Sequence, residues 1–140
     1  MSHAVVEADK LATLCQAVET AIIKKRNMER EKVVKEIVQT HNEKGWWARF
    51  WSPWGTKDVS FDDIWDALVD ARYEWSWQNP WYRANHLGEE AWEIAHRLLR
   101  CAKLGIAVTV DSKDLEWLMI YAPPDVVQSV FMSNPYHRAA

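Results

Sequence analysis

Apolar residues recur along most of this chain at steps of three and four, the period of an amphipathic helix. In the first segment, roughly Ala4 to His41, Leu11, Leu14, Val18 and Ile22 make one stripe, and Val33, Val34, Ile37 and Val38 resume it. Between the two lies KKRNMEREK, Lys24 to Lys32, whose one apolar residue is Met28. No Pro or Gly interrupts it. One long helix with an exposed middle is expected, with a hairpin broken near Asn27 as the alternative.

A second helix begins after Ser60, a good N-cap, with Asp62 and Asp63 placed to complement the helix dipole. Phe61, Ile64, Trp65, Leu68, Ala71 and Trp75 then share a face. Asn79-Pro80 reads as its stop, because the residue before proline is pushed out of helical geometry. A third helix is expected over about Leu87 to Leu104, with Leu87, Ala91, Ile94, Ala95, Leu98 and Ala102 on one face and Gly105 as the left-handed residue that closes it. Ile106 to Val110, IAVTV, has strand composition but no evident partner strand, and reads as an extended connector. Asp111 then caps a fourth helix, with Asp114 at N3 and Val110 set to staple onto Leu115. That helix stops before Pro123, and Pro123-Pro124 opens a short last helix, Asp125 to Met132. The tail SNPYHRAA is expected to fray.

The fold class that follows is all-α: a single domain of four to six helices built on a long N-terminal helix. Its one long irregular connection, Gly45 to Val59, is rich in aromatic residues. One domain is the default at 140 residues.

That connection changes the functional picture. KGWWARFWSPWG, Lys44 to Gly55, puts four tryptophans and a phenylalanine into nine residues, in a chain with ten tryptophans in all. Such rings suit a core plug, a protein-binding face or an interfacial membrane foot. On a helix Trp46 and Trp47 point about 100° apart, so the set is too crowded to face one interior. Trp47, Phe50, Trp51 and Trp54 are the candidate anchors on one side, with Arg49 as a flanking cation and Trp46 packed inward. A second cluster, YEWSWQNPWYR, Tyr73 to Arg83, reads as the packing of a helix corner around Trp77, Trp81 and Tyr82.

Charge narrows the partner classes. Through Lys57 there are ten Lys or Arg against seven Asp or Glu, and from Asp58 onward seven against thirteen, within a net charge of −3. The acidic second half argues against nucleic acid. So do Glu29, Glu31 and Glu36, which interleave with Lys24, Lys25, Arg26, Arg30, Lys32 and Lys35.

Candidate chemistry is sparse. Glu93 and His96 have the E-x-x-H spacing of carboxylate-bridged metal bundles, but a second such motif and two further glutamates are lacking. With Glu89, they fall opposite the apolar face of their helix. Cys15 and Cys101 stand alone, without zinc-type spacing. The glycines are isolated, so no phosphate loop is read, and no nucleophile motif occurs. No cofactor or metal is therefore expected. The opening MSHAVVEADK lacks the pattern of a secretory signal, and a reducing cytoplasm is the expected setting.

The function expected by exclusion is a non-catalytic protein–protein interaction module: an adaptor, an inhibitor or an immunity-type protein, of a kind that phages also encode. Self-association could use the same surface. The rivals are a peripheral membrane protein with Trp46–Trp54 as its foot, and an enzyme using Glu89, Glu93 and His96 with ligands from elsewhere.

Overall fold

The computed structural model describes residues 3–71 and 78–131. They form β1 (His3–Val6), α1 (Ala8–Glu43), α2 (Trp46–Phe50), α3 (Phe61–Ala71), α4 (Pro80–Asn85), α5 (Glu89–Lys103), β2 (Val108–Asp111), α6 (Ser112–Tyr121) and α7 (Pro124–Phe131). The architecture is helical and is built on one long N-terminal helix. Helix α1 is continuous through Lys24–Lys32, so the two apolar stripes lie on one helix, and Met28 between them is exposed.

Two compact units share this helix: one holds α1 up to Lys24 with the chain from Gly88 onward, the other runs from Lys25 to Leu87. In the first unit Leu11, Leu14, Cys15, Val18 and Ile22 of α1 pack with Ala91, Ala95, Leu98 and Ala102 of α5 and with Leu118 of α6. The stripe spacing fixes this face, since residues three and four apart stack on one side of a helix. Gly88 makes the entry to α5 possible. Its φ is 70°, and a Cβ there would lie 3.1 Å from Tyr121 Cζ and 3.3 Å from Ile22 Cγ1. Gly105, at φ 73°, follows α5 as the left-handed residue the sequence called for. Asp111 caps α6 by accepting from the Lys113 amide.

One expectation is corrected here and one is extended. The segment before Val110 is not a connector: Val108–Asp111 is a strand, paired antiparallel with His3–Val6 in the register Val6 to Val108. For that reason α1 starts at Ala8 and not near Ala4. Val6 and Val110 are buried with the first core, so the ribbon is held by apolar burial as well as by its ladder. The partner was hidden because HAVV precedes a helix without a turn signal.

In the second unit Val33 and Val34 of α1 pack with Ile64, Trp81 and Ala84, and Ile37, Val38, Trp54, Val59, Phe61, Trp65 and Leu68 close around them. Helix α3 opens with a reciprocal capping box: the Asp63 amide donates to Ser60 Oγ at 3.2 Å, and the Ser60 amide to Asp63 Oδ2 at 3.2 Å. The extension concerns Asn79-Pro80. This pair starts a helix: Asn79 Oδ1 accepts from the amides of Trp81 and Tyr82, and Pro80 takes the first turn of α4. Asn79 is extended, as expected of a residue before proline, and Asn at N-cap with Pro at N1 is also a helix start signal. Trp81 is buried there, edge-on to Trp65 at 5.5 Å between centroids. The proposed core role of Trp75, the ring of Trp77, the end of the last helix at Met132 and the fraying tail fall outside the described residues.

Candidate functional site

Helix α2 is one and a half turns long, and that shortness decides where its rings go. At about 100° per residue, Trp46, Phe50, Trp47 and Trp51 fall within an arc of roughly 140°, with Ala48 and Arg49 opposite. The four rings are outside: Trp46 is 55% exposed, Trp47 75%, Phe50 53% and Trp51 83%. They also touch one another. Trp46 and Trp47 meet edge to face at 5.0 Å between centroids, and Phe50 and Trp51 do so at 5.2 Å. Phe50 further contacts Trp46 and Trp47 at 5.9 and 6.5 Å. The result is one contiguous aromatic platform.

This placement corrects two details of the sequence reading. Trp46 shares the outward arc instead of packing inward, because it lies only about 40° from Phe50 on the helical wheel. Trp54, beyond the helix, leaves the set and packs against the second core. Pro53 and the turn at Gly55 carry the backbone away from the α2 axis, so helical spacing no longer applies to Trp54.

Polar side chains under the platform hold the connection in place. Arg49, expected at the flank, turns inward. Its Nη2 donates to the Asn42 carbonyl at 2.6 Å, its Nε to the Lys44 carbonyl at 3.0 Å and its Nη1 to the Thr56 carbonyl at 3.2 Å, and Nη1 also pairs with Asp58. The planar fork of guanidinium suits such a multiple clasp, and it satisfies carbonyls that the end of α1 leaves open. Asn42 clamps Val59 from both sides, donating to its carbonyl at 3.0 Å and accepting from its amide at 2.9 Å. His41 is 2% exposed. Its Nε2 lies 2.8 Å from the Lys57 carbonyl, which can only accept, so the ring proton sits on Nε2. Nδ1 then accepts from Ser52 Oγ at 3.2 Å. Ser52 Oγ in turn accepts from the Trp54 amide. His41 and Asn42 were not singled out by the sequence. The available signal was a pair of polar residues where the α1 stripe should continue.

Behind the connection lies a cleft of about 770 Å³, with Ile37, Leu68, Trp54 and Trp81 among its apolar walls and Glu36 and Asp70 among its polar ones. Its size falls in the range of small-ligand sites.

The remaining candidates are placed as follows. Arg26 Nε donates to the Leu87 carbonyl at 2.7 Å, and Arg30 bonds Asn85 and Asn27, so two cations of the basic segment secure the end of α4 and the chain that follows it. Burial pushes the Arg30 guanidinium below its usual range. On α5, Glu93 and His96 are exposed, and His96 Nδ1 lies 3.3 Å from Glu19 Oε2. Among the described residues no three His, Cys, Asp or Glu side chains come together as a metal site. Among them, too, no helix is long and apolar enough to cross a membrane. Cys15 is buried, and that burial, followed by the nearby Glu19 carboxylate, pushes its thiol up to about 12.

Compared with known proteins, the chain matches no family model, no curated protein and no solved structure.

Proposed function

We propose that this protein is a non-catalytic protein–protein interaction module whose binding surface is the platform of Trp46, Trp47, Phe50 and Trp51. The observation that carries the reading is a conjunction. The rings are exposed, yet the connection that bears them is clasped by Arg49, Asn42 and His41. A loose loop would expose aromatic residues by default. A clasped one presents them in a set geometry, which lowers the ordering cost of binding. Tryptophans in such a setting are the typical anchors of interface hot spots. The roles within the stretch thereby divide. Trp47, Phe50 and Trp51, with Trp46, meet the partner, whereas Arg49 and Trp54 support the surface from behind.

The test is paired capture from the native host with wild type and with Trp47→Ala/Trp51→Ala as bait. A single buried Trp anchor is worth at least about 2 kcal/mol, or roughly thirtyfold in affinity. A partner held by wild type and lost by the variant, with helix content unchanged, supports the reading. Trp117→Ala, an exposed ring on α6, is the control and should retain the partner. If both baits capture the same proteins, the platform is not the binding surface.

The membrane reading rests on a specific observation of its own: the platform is flanked by the exposed Lys44 and Lys57. Flotation with anionic and neutral liposomes separates the two. Binding to both kinds of vesicle that Trp47→Ala/Trp51→Ala abolishes would replace the protein partner with a lipid surface.

A further inference from the structure

We propose that the cleft behind the connection is a binding site for a small organic cation, a molecule with an apolar body and a single ammonium group. The site is separate from the platform, and every residue lining it belongs to the second unit.

Shape and wall chemistry set the body of the ligand. The cleft has a volume of about 770 Å³. Pockets for small ligands run from roughly 300 to 1,000 Å³ and are walled mainly by apolar and aromatic side chains. Ile37 of α1, Leu68 of α3, Trp54 of the connection and Trp81 of α4 are walls of that kind. Along α1 the lining extends from Val33 to Lys44, about three turns or roughly 16 Å of helix. An extended apolar body of several carbons fits that length.

Charge sets the head group. Three polar side chains of the lining are already committed within the protein. His41 has partners at both ring nitrogens, Ser52 Oγ bonds His41 and the Trp54 amide, and Asn79 Oδ1 caps α4. The charged residues of the lining are Glu36, Asp70 and Lys44, two carboxylates against one ammonium. Among the described residues none of the three forms an ion pair. Helix α3 adds to the negative side, since Asp62, Asp63, Asp66 and Asp70 are all exposed and the helix holds no Lys or Arg. Apolar walls strengthen the bias, because a cleft with low-dielectric walls focuses the field of its charges. A ligand that fills the apolar space and carries one positive charge answers both features, whereas an anion of the same shape meets a lining of its own sign.

The experiment is an amide-resolved NMR titration of the full chain with three probes of one shape: phenylbutylammonium, phenylbutanol and phenylbutyrate. Phenylbutylammonium should bind best. Phenylbutanol should bind about threefold to tenfold more weakly, because ion pairs to exposed carboxylates are worth little each, and phenylbutyrate more weakly still. Glu36→Gln/Asp70→Asn keeps the shape of both side chains and should bring the ammonium down to the level of the alcohol. Added salt should narrow the same gap in wild type. Ala67→Trp sets a large ring into the cleft from an exposed position of α3 and should abolish binding, with the helical circular dichroism unchanged. Trp47→Ala/Trp51→Ala should leave all three affinities as they are. An alcohol that binds wild type as tightly as the ammonium overturns the charge assignment. No binding up to about 10 mM, or ammonium binding that survives Ala67→Trp, overturns the cleft as the site. Binding that Trp47→Ala/Trp51→Ala abolishes would move the ligand to the platform and overturn the proposal as well.

Discussion

The two ends of helix α1 feed cores of different kinds. Toward its N-terminus the helix contributes Leu11, Leu14, Val18 and Ile22 to a core in which fifteen residues are buried among those described. Toward its C-terminus it contributes Val33 and Val34 to a core of five. The first unit is closed mainly by aliphatic packing. The second adds aromatic rings and a set of side-chain-to-backbone clasps, and it leaves four large rings in water. The difference teaches where each unit puts its order. Aliphatic burial is non-directional and fills an interior, whereas hydrogen-bonded clasps are directional and can fix a surface that is not itself buried.

The largest expected effect breaks the aliphatic side of that comparison. Leu14→Ala or Leu118→Ala, at fully buried positions, should cost about 2–5 kcal/mol in urea unfolding. If either is nearly neutral, the first core is not packed as described.

Next comes the clasp. Arg49→Ala removes donors to three carbonyls and one carboxylate, and should destabilise the second unit by about 1–3 kcal/mol. Arg49→Lys should recover only part, since an ammonium lacks the planar fork. Amide exchange over residues 42–59 should accelerate in both variants. Unchanged exchange would mean that Arg49 does not hold the connection.

A smaller effect is expected at Gly88. Alanine there meets Tyr121 and takes a left-handed backbone, for about 1–2 kcal/mol. The loss should appear in thermal unfolding, and an unchanged midpoint would rule out that close approach.

The smallest effect at neutral pH concerns Cys15. Its folded thiol is pushed from 9.0 to about 12. The native state therefore keeps a proton that the unfolded chain releases above pH 9. This contribution to stability is complete below about pH 9 and is lost as pH rises toward 12. Under native conditions at neutral pH, thiol reagents should label Cys101, which is partly exposed, well before Cys15. Equal rates would show that the first core opens readily.

Much of the fold is legible because aliphatic periodicity and capping are local. Ser60, Gly105 and Asp111 mark helix ends through groups only a few residues away, and the stripe on α1 gives its buried face directly. The strand pair is not local: Val6 and Val108 are about a hundred residues apart, and neither segment carries a turn that announces the other. At Asn79-Pro80 two local rules act together: Asn79 is extended before the proline, and its side chain caps the helix that follows. In the candidate site, the crowding of rings correctly called for outward exposure of some of them. Which ones depended on the bounds of α2, which put Trp46, Trp47, Phe50 and Trp51 on one arc and leave Trp54 beyond the helix. Helical spacing gives the arc once those bounds are known, but does not give the bounds themselves.

The central claim is that the rings of the platform face solvent in the free chain and are not a plug of the second core. Its most direct test is the unfolding free energy of Trp47→Ala/Trp51→Ala, measured at a protein concentration where wild type is monomeric. A surface platform gives a loss within about 1 kcal/mol, since exposed substitutions each change stability by about half that or less. A loss of about 3–5 kcal/mol for each ring, as expected of Trp→Ala in a core, would contradict the claim.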